Sequence, residues 1–196
     1  MKKLVIIFYR NPVLGKVKTR LAKTIGDEKA LAVYLYMAAH TRSITENLTP
    51  DKIVYYSDFV DREDAWNNSI YRKSLQQGKD LGEKMFRAFQ AGFEKGYESI
   101  CIIGTDCLEL NTSSIESAFQ ALSKYDCVIG PARDGGYYLL GCTNLHPEFF
   151  TQKLWSTSSV ANDTIHDFQQ LRLSWLSLPV LRDVDEAKDL PPDFTI

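Results

Sequence analysis

Four short stretches of the 196-residue chain carry side chains suited to phosphate and metal chemistry. The first runs from Arg10 to Leu21 and holds Arg10, Lys16, Lys18 and Arg20 around Gly15, with Lys23 just beyond. Converging backbone N–H groups and basic side chains in such a loop can bind phosphates through charge-assisted hydrogen bonds. Arg20 offers a planar fork for two oxygens, whereas Lys18 acts as a point charge. The stretch is neither a Walker A loop nor a dinucleotide fingerprint, since Arg10 and Val17 stand where the former needs Gly and Ser or Thr. The second stretch, Ile102-Ile103-Gly104-Thr105-Asp106-Cys107, ends an apolar run in a carboxylate that could hold Mg²⁺ or Mn²⁺. The third, Gly130 to Tyr138, sets Asp134, Gly135, Gly136 and Tyr137 where backbone can approach a ligand closely. The fourth is Leu181-Arg182-Asp183-Val184-Asp185. Carboxylates two residues apart on an extended segment point to opposite sides, so one of Asp183 and Asp185 would face a metal shared with Asp106.

Each stretch also has an ordinary structural explanation. A basic loop can simply be solvated. Asp106 can cap a turn, Asp134-Gly135 is a strong hairpin signal, and Asp185 can cap a helix.

The elements around these stretches must place them together. Leu4–Tyr9, Ile53–Tyr56, Ser99–Ile103, Cys127–Gly130, Tyr137–Gly141 and Leu173–Leu178 read as strands. Helical spacing covers residues 27 to about 47, 81–95, 113–124 and 160–170, with a short turn at 186–190. Ser113-x-x-Glu116 reads as a capping box. Alternation of this kind implies an α/β fold, a mostly parallel central sheet with helices on both faces, over a single domain spanning 1–196. In such sheets ligands bind beyond the carboxyl ends of the strands, where all four stretches fall.

Composition narrows the function classes. With 23 basic and 25 acidic side chains the formal charge is −2, unlike a nucleic-acid-binding domain. Cys101, Cys107, Cys127 and Cys142 have no zinc spacing and read as buried, reduced thiols. The three histidines are scattered, so no triad is expected. The first apolar run is too short for a signal peptide or a membrane span, and a cytoplasmic location without membrane partners is expected.

Taken together, NPVLGKVKTRL (11–21), KDLGEKMFRAF (79–89), IIGTDC (102–107), VIGPARDGGYYLLG (128–141), WSTSSV (155–160) and DVDEAKDL (183–190) are similar to the bacterial DUF2064 family. Members are named glycosyltransferases of the radical-SAM and arsenosugar-associated set, within the nucleotide-diphospho-sugar transferase superfamily of GT-A-like fold. The resemblance covers nearly the whole chain in order. It implies a nucleotide or nucleotide-sugar donor, a small-molecule acceptor and a Mg²⁺ or Mn²⁺ ion. It implies phosphate binding by Gly15, Lys18 and Arg20, with Arg10, Lys16 and Thr19 beside them in the loop. It places the metal on Asp106 and Asp185, with Asp183 in reserve. Asp106, Lys18 and Arg20 are the catalytic candidates, and Asp134, Gly135, Gly136, Tyr137 and Trp155 the acceptor-side ones. Leu108 replaces the family's usual proline, and Glu186-Ala187-Lys188 replaces its usual Thr-Pro-Glu. Glycosyl transfer is the first expectation. Nucleotidyl transfer with pyrophosphate release is the alternative, because no Asp-x-Asp follows β-type residues 102–103, and a non-catalytic nucleotide-binding module is the third.

Overall fold

The computed structural model describes residues 1–191. Apolar alternation drives the central strands. In β1 (Lys3–Tyr9), Val5, Ile7 and Tyr9 pack on one face while Leu4 and Ile6 pack on the other. β4 (Ser99–Ile103) divides in the same way, Cys101 and Ile103 against Ile100 and Ile102, and all five of its residues are buried. This period-two division is what a strand covered on both faces requires. With β2 (Asp51–Tyr56), β3 (Tyr71–Leu75), β5 (Cys127–Pro131), β6 (Tyr137–Cys142) and β7 (Trp175–Ser177) these strands form one seven-stranded sheet, ordered β3-β2-β1-β4-β6-β5-β7. Neighbours pair in parallel except β6, which is antiparallel to both β4 and β5.

Helices cover both faces. Leu21 of α1 (Thr19–Ile25), Ala30, Val33, Tyr34 and Met37 of α2 (Asp27–Thr45), and Ile115, Ala118 and Phe119 of α4 (Thr112–Ala121) share one core layer. Met85, Ala88 and Phe89 of α3 (Leu81–Glu94), with Ala161 and Phe168 of α5 (Val160–Gln170), share the other. The chain therefore has a mixed α/β architecture, a mostly parallel sheet covered by helices on both faces. Among the described residues no helix is long and apolar enough to cross a membrane.

Three elements are additional to the expectations, α1, β3 and a 3₁₀ turn at Pro147–Phe150, and two others differ from them. The capping box expected at Ser113 does not open α4. Asn111 caps it instead, its side chain accepting from the Ser114 N–H at 3.0 Å, so the helix starts at Thr112 and ends at Ala121 rather than Lys124. The last turn is a 3₁₀ helix, Ala187–Asp189, and its cap is Glu186 rather than Asp185.

Candidate active site

The loop leaving β1 is held from beneath. The Arg10 N–H donates to the Tyr34 hydroxyl at 2.8 Å, and that hydroxyl donates back to the Arg10 carbonyl at 2.9 Å. Asn11, 3 % exposed, ties this loop to the one leaving β2. Its Nδ2 donates to the Phe59 carbonyl, and its Oδ1 accepts from the Asp58 N–H and the Ser57 hydroxyl. Val17 is buried, and Lys18 follows it in a left-handed conformation, φ 47° and ψ 43°, immediately before α1. That turn sends the Lys18 side chain inward, where it is 6 % exposed. Its Nζ lies 2.9 Å from Asp106 Oδ1 and 3.1 Å from Asp185 Oδ1. Burial alone would lower the lysine pKa, but the two carboxylates outweigh it and the pKa rises.

Asp106 stands three residues beyond β4, after Thr105, whose hydroxyl meets Tyr34 Oη at 3.3 Å. The Val184 N–H donates to the Asp106 carbonyl at 2.9 Å, which lays the segment carrying Asp183 and Asp185 along the end of β4. Asp106 and Asp185 still face solvent on about two-fifths of their side chains, so a ligand can reach both. Arg20 Nη1 lies 3.7 Å from Asp185 Oδ2, at the exposed rim.

Asp183 does not turn away from this group. It and Asp185 line the same cleft of about 500 Å³, together with Arg20, Arg133, Asp134 and Arg182. Residues 178–187 form no regular strand, only an isolated bridge of Leu181 with Ala132, so strict alternation does not govern the two side chains. Asp183 Oδ1 is buried without a hydrogen-bond partner. Burial, then the nearby charges of Asp106 and Asp134, push its pKa up to about 7.

The hairpin between β5 and β6 brings Asp134 to the cleft. Because β6 runs antiparallel, this turn lies at the same edge as the loops that leave the parallel strands. Asp134 Oδ1 accepts from the Gly136 N–H at 2.9 Å, an Asx turn that leaves its second oxygen available. Gly135 needs its φ of 89°, and a Cβ there would lie 2.0 Å from the Ser158 carbonyl oxygen.

The structure thus gathers Lys18, Arg20, Asp106, Asp134, Asp183 and Asp185. Gly15 and Lys16 are exposed on the first loop, as is the side chain of Arg10, and Thr19 is exposed at the start of α1. Tyr137 and Trp155 lie elsewhere, packed against the α3 layer, with the Tyr137 hydroxyl on Met85 Sδ and the Trp155 ring over Gly82. Asn11, Tyr34, Arg133 and Arg182 escaped the sequence reading. Asn11 sits in the quoted first motif, and Arg133 and Arg182 each precede a named aspartate, so adjacency was the available signal.

Among the described residues no three His, Cys, Asp or Glu side chains form a ready metal cluster. The donor chemistry nonetheless suits a hard divalent cation. Asp106 and Asp185 each set a carboxylate oxygen against the Lys18 ammonium, donors of the kind such a cation takes, and the buried Oδ1 of Asp183 has no hydrogen-bond partner.

Comparison with known proteins agrees with this architecture. The family described as "Uncharacterized protein conserved in bacteria (DUF2064)" matches residues 39–157. A Desulfovibrio desulfuricans G20 structure, described provisionally as a nucleotide-diphospho-sugar transferase, is 31% identical with a TM-score of 0.87, covering 95% of this chain and 84% of that one. A 2-phospho-L-lactate guanylyltransferase from Methanocaldococcus vulcanius is 27% identical over 138 residues, 70% of this chain, and the match spans 60% of that relative's length. A glucosyl-3-phosphoglycerate synthase from Mycobacterium tuberculosis, solved with Mg²⁺ and uridine diphosphate, shares the fold at 12% identity and a TM-score of 0.56, covering 96% of this chain and 73% of that one.

Proposed function

The chain belongs to the DUF2064 family, and from that premise we propose that it transfers a group from a nucleotide-activated donor to a small acceptor, with glycosyl transfer from a nucleotide sugar as the reaction. The observation that supports this reading is the convergence of Lys18, Asp106, Asp183 and Asp185 at the carboxyl edge of the sheet, with Arg20 at the rim. The likeness to a nucleotide-diphospho-sugar transferase over 95% of the chain supports the donor class. Asp106 and Asp185 would hold Mg²⁺ or Mn²⁺, with Asp183 in reserve. Such an ion, when bound, neutralises diphosphate charge and stabilises a departing nucleoside diphosphate.

The chain's own residues supply the rest. Arg20 is free enough at the rim, 64 % exposed, to close as a fork on phosphate oxygens. Lys16 and Arg10 add positive charge along the same loop. Asp134, with one oxygen fixed by Gly136, presents the other to an acceptor hydroxyl and can accept its proton. Tyr34 and Asn11 keep the first loop in register with β4 and with the loop after β2.

Nucleotidyl transfer is the second reading, favoured by the guanylyltransferase relative and by Leu108, which stands where an Asp-x-Asp sequence would carry its second carboxylate. Product analysis separates the two. The protein is incubated with Mg²⁺ or Mn²⁺ against a panel of nucleoside triphosphates and nucleotide sugars with candidate acceptors. Acceptor-dependent release of nucleoside diphosphate is the expected result. Pyrophosphate release selects nucleotidyl transfer, and binding with neither product returns the chain to a non-catalytic module.

A further inference from the structure

The basic loop does not use its charges alike. Arg10, Lys16 and Arg20 face solvent, whereas Lys18 turns inward and places one ammonium between two carboxylates. The backbone that aims it lies in the left-handed region, which a residue with a long side chain adopts at a cost, and no side chain caps the helix that follows. The two ion pairs offset that cost. Asp106 and Asp185 have their backbones fixed to one another through the Val184 N–H, so their carboxylates stay close whatever cation lies between them. One ammonium does not balance this group, because the carboxylates of Asp183 and Asp134 line the same cleft as Asp185.

An ammonium and a divalent ion compete for the same inward-facing oxygens, since each needs direct contact with Asp106 and Asp185. Resting on the reading of the site given above, we propose that Lys18 is a built-in counter-cation, which holds the Asp106–Asp185 pair in place of a divalent ion until a nucleotide diphosphate draws its ammonium away. Metal and nucleotide then bind cooperatively. The diphosphate gives Lys18 a new anionic partner, and the vacated carboxylates accept the metal. Coupling of this kind is reciprocal, so metal tightens nucleotide by the same factor that nucleotide tightens metal.

The test titrates Mn²⁺ into the full chain, reading free Mn²⁺ by electron paramagnetic resonance, without nucleotide and then with UDP or GDP. Wild type is expected to bind Mn²⁺ weakly alone and more tightly with one of the nucleotides. Lys18→Met is expected to bind Mn²⁺ alone roughly tenfold more tightly, within the 5–150-fold range usual for coupled sites. Its nucleotide-dependent gain should shrink. Lys18→Arg keeps the charge and should remain weak. Thermal melts give a second readout. Lys18→Met should melt below wild type when free of metal and recover on addition of Mn²⁺, and a variant that folds only with Mn²⁺ supports the proposal equally. Unchanged or weaker Mn²⁺ binding by Lys18→Met overturns it, as does a variant that stays unfolded with Mn²⁺ present. Tight Mn²⁺ binding by wild type without nucleotide sinks the counter-cation role while leaving the proposed reaction standing. Binding of Mn²⁺ to neither protein under any condition removes both.

Discussion

Two side chains of the cleft separate affinity from stability. Arg20 is exposed and meets Asp185 only at 3.7 Å, so it contributes little to the free protein. Arg20→Ala is expected to weaken nucleotide binding tenfold to a hundredfold, about one to two decades at roughly 1.4 kcal/mol each, while the apo melting temperature stays put. Arg20→Lys should recover part of the affinity because the planar fork is lost. Calorimetric titration beside thermal melts reads both. Asp183 works in the opposite direction. Its Oδ1 is buried without a partner among like charges, so Asp183→Asn is expected to stabilise the metal-free protein by about 1–3 kcal/mol, the usual cost of one such buried group. The sign with pH follows from its raised pKa. Between the ordinary carboxyl value near 4 and about 7, the folded chain holds a proton that the unfolded chain has lost. Stability contributed by this group therefore falls as pH rises through that window and levels off above it. The gain from Asp183→Asn should be largest at pH 8 and fade towards pH 4, in urea melts without divalent metal. Sequence reasoning named both residues, but Lys18 as a buried ammonium was not legible. Lysine is seldom buried unless paired, and its two partners lie far along the chain.

At the scale of elements, two short connections decide whether the edge of the sheet is a site. Asn11 joins the loops after β1 and β2 through both its amide nitrogen and its carbonyl oxygen. Asn11→Ala leaves those backbone groups unsatisfied, and about 1–3 kcal/mol of stability should be lost. Asn11→Asp retains the acceptor but buries a charge and sets a carboxylate oxygen against the Phe59 carbonyl, so it should lose at least as much, as denaturant melts of the two variants would show. The hairpin turn is less forgiving. Gly135→Ala forces a residue into φ 89° and drives a Cβ to 2.0 Å from the Ser158 carbonyl, so the turn and the start of α5 must shift together. Loss of stability by more than 2 kcal/mol is expected, about the strain of one such position plus a backbone displacement. A melt unchanged from wild type would contradict the packing of the turn against residue 158. The elements themselves were legible where periodicity was strong. The Ser99–Ile103 strand falls where the β-rich run places it, and the Leu81–Glu94 helix where the helical spacing from Leu81 to Lys95 places it. β3 was not, because Tyr-Arg-Lys-Ser-Leu is an edge strand with one buried position and little apolar pattern. α1 was hidden by its seven-residue length and by basic residues that read equally well as a loop. Ser113 misled because a capping box is a local signal, and Asn111 two residues earlier competes for the same N–H groups.

For the whole molecule, the alternating pattern was enough to imply a mostly parallel sheet with its polar residues collected at one edge. It could not give the strand order or the reversal of β6, which depend on pairings across the chain and leave no local trace. That reversal has a direct result: the Asp134 turn and the loops carrying Lys18 and Asp106 share an edge although one strand between them runs backwards. A further result concerns time rather than space. The Lys18–Asp185 contact spans 167 residues, so no early portion of the chain can assemble the site alone. Loop-closure entropy must be met by the surrounding core before those two groups can meet. The segment from 181 to 190 docks through an isolated bridge and a few hydrogen bonds, so it should be among the first parts to open and the last to close. Anything that grips Lys18 and Asp185 together then stitches the two ends of the fold. Amide exchange in residues 181–190, followed by mass spectrometry, should slow when Mn²⁺ and a nucleotide are added, while the β1 and β4 amides barely change. Occupancy of the pocket would in that case be a clock on completed folding, advancing only in molecules whose final turn has already come home.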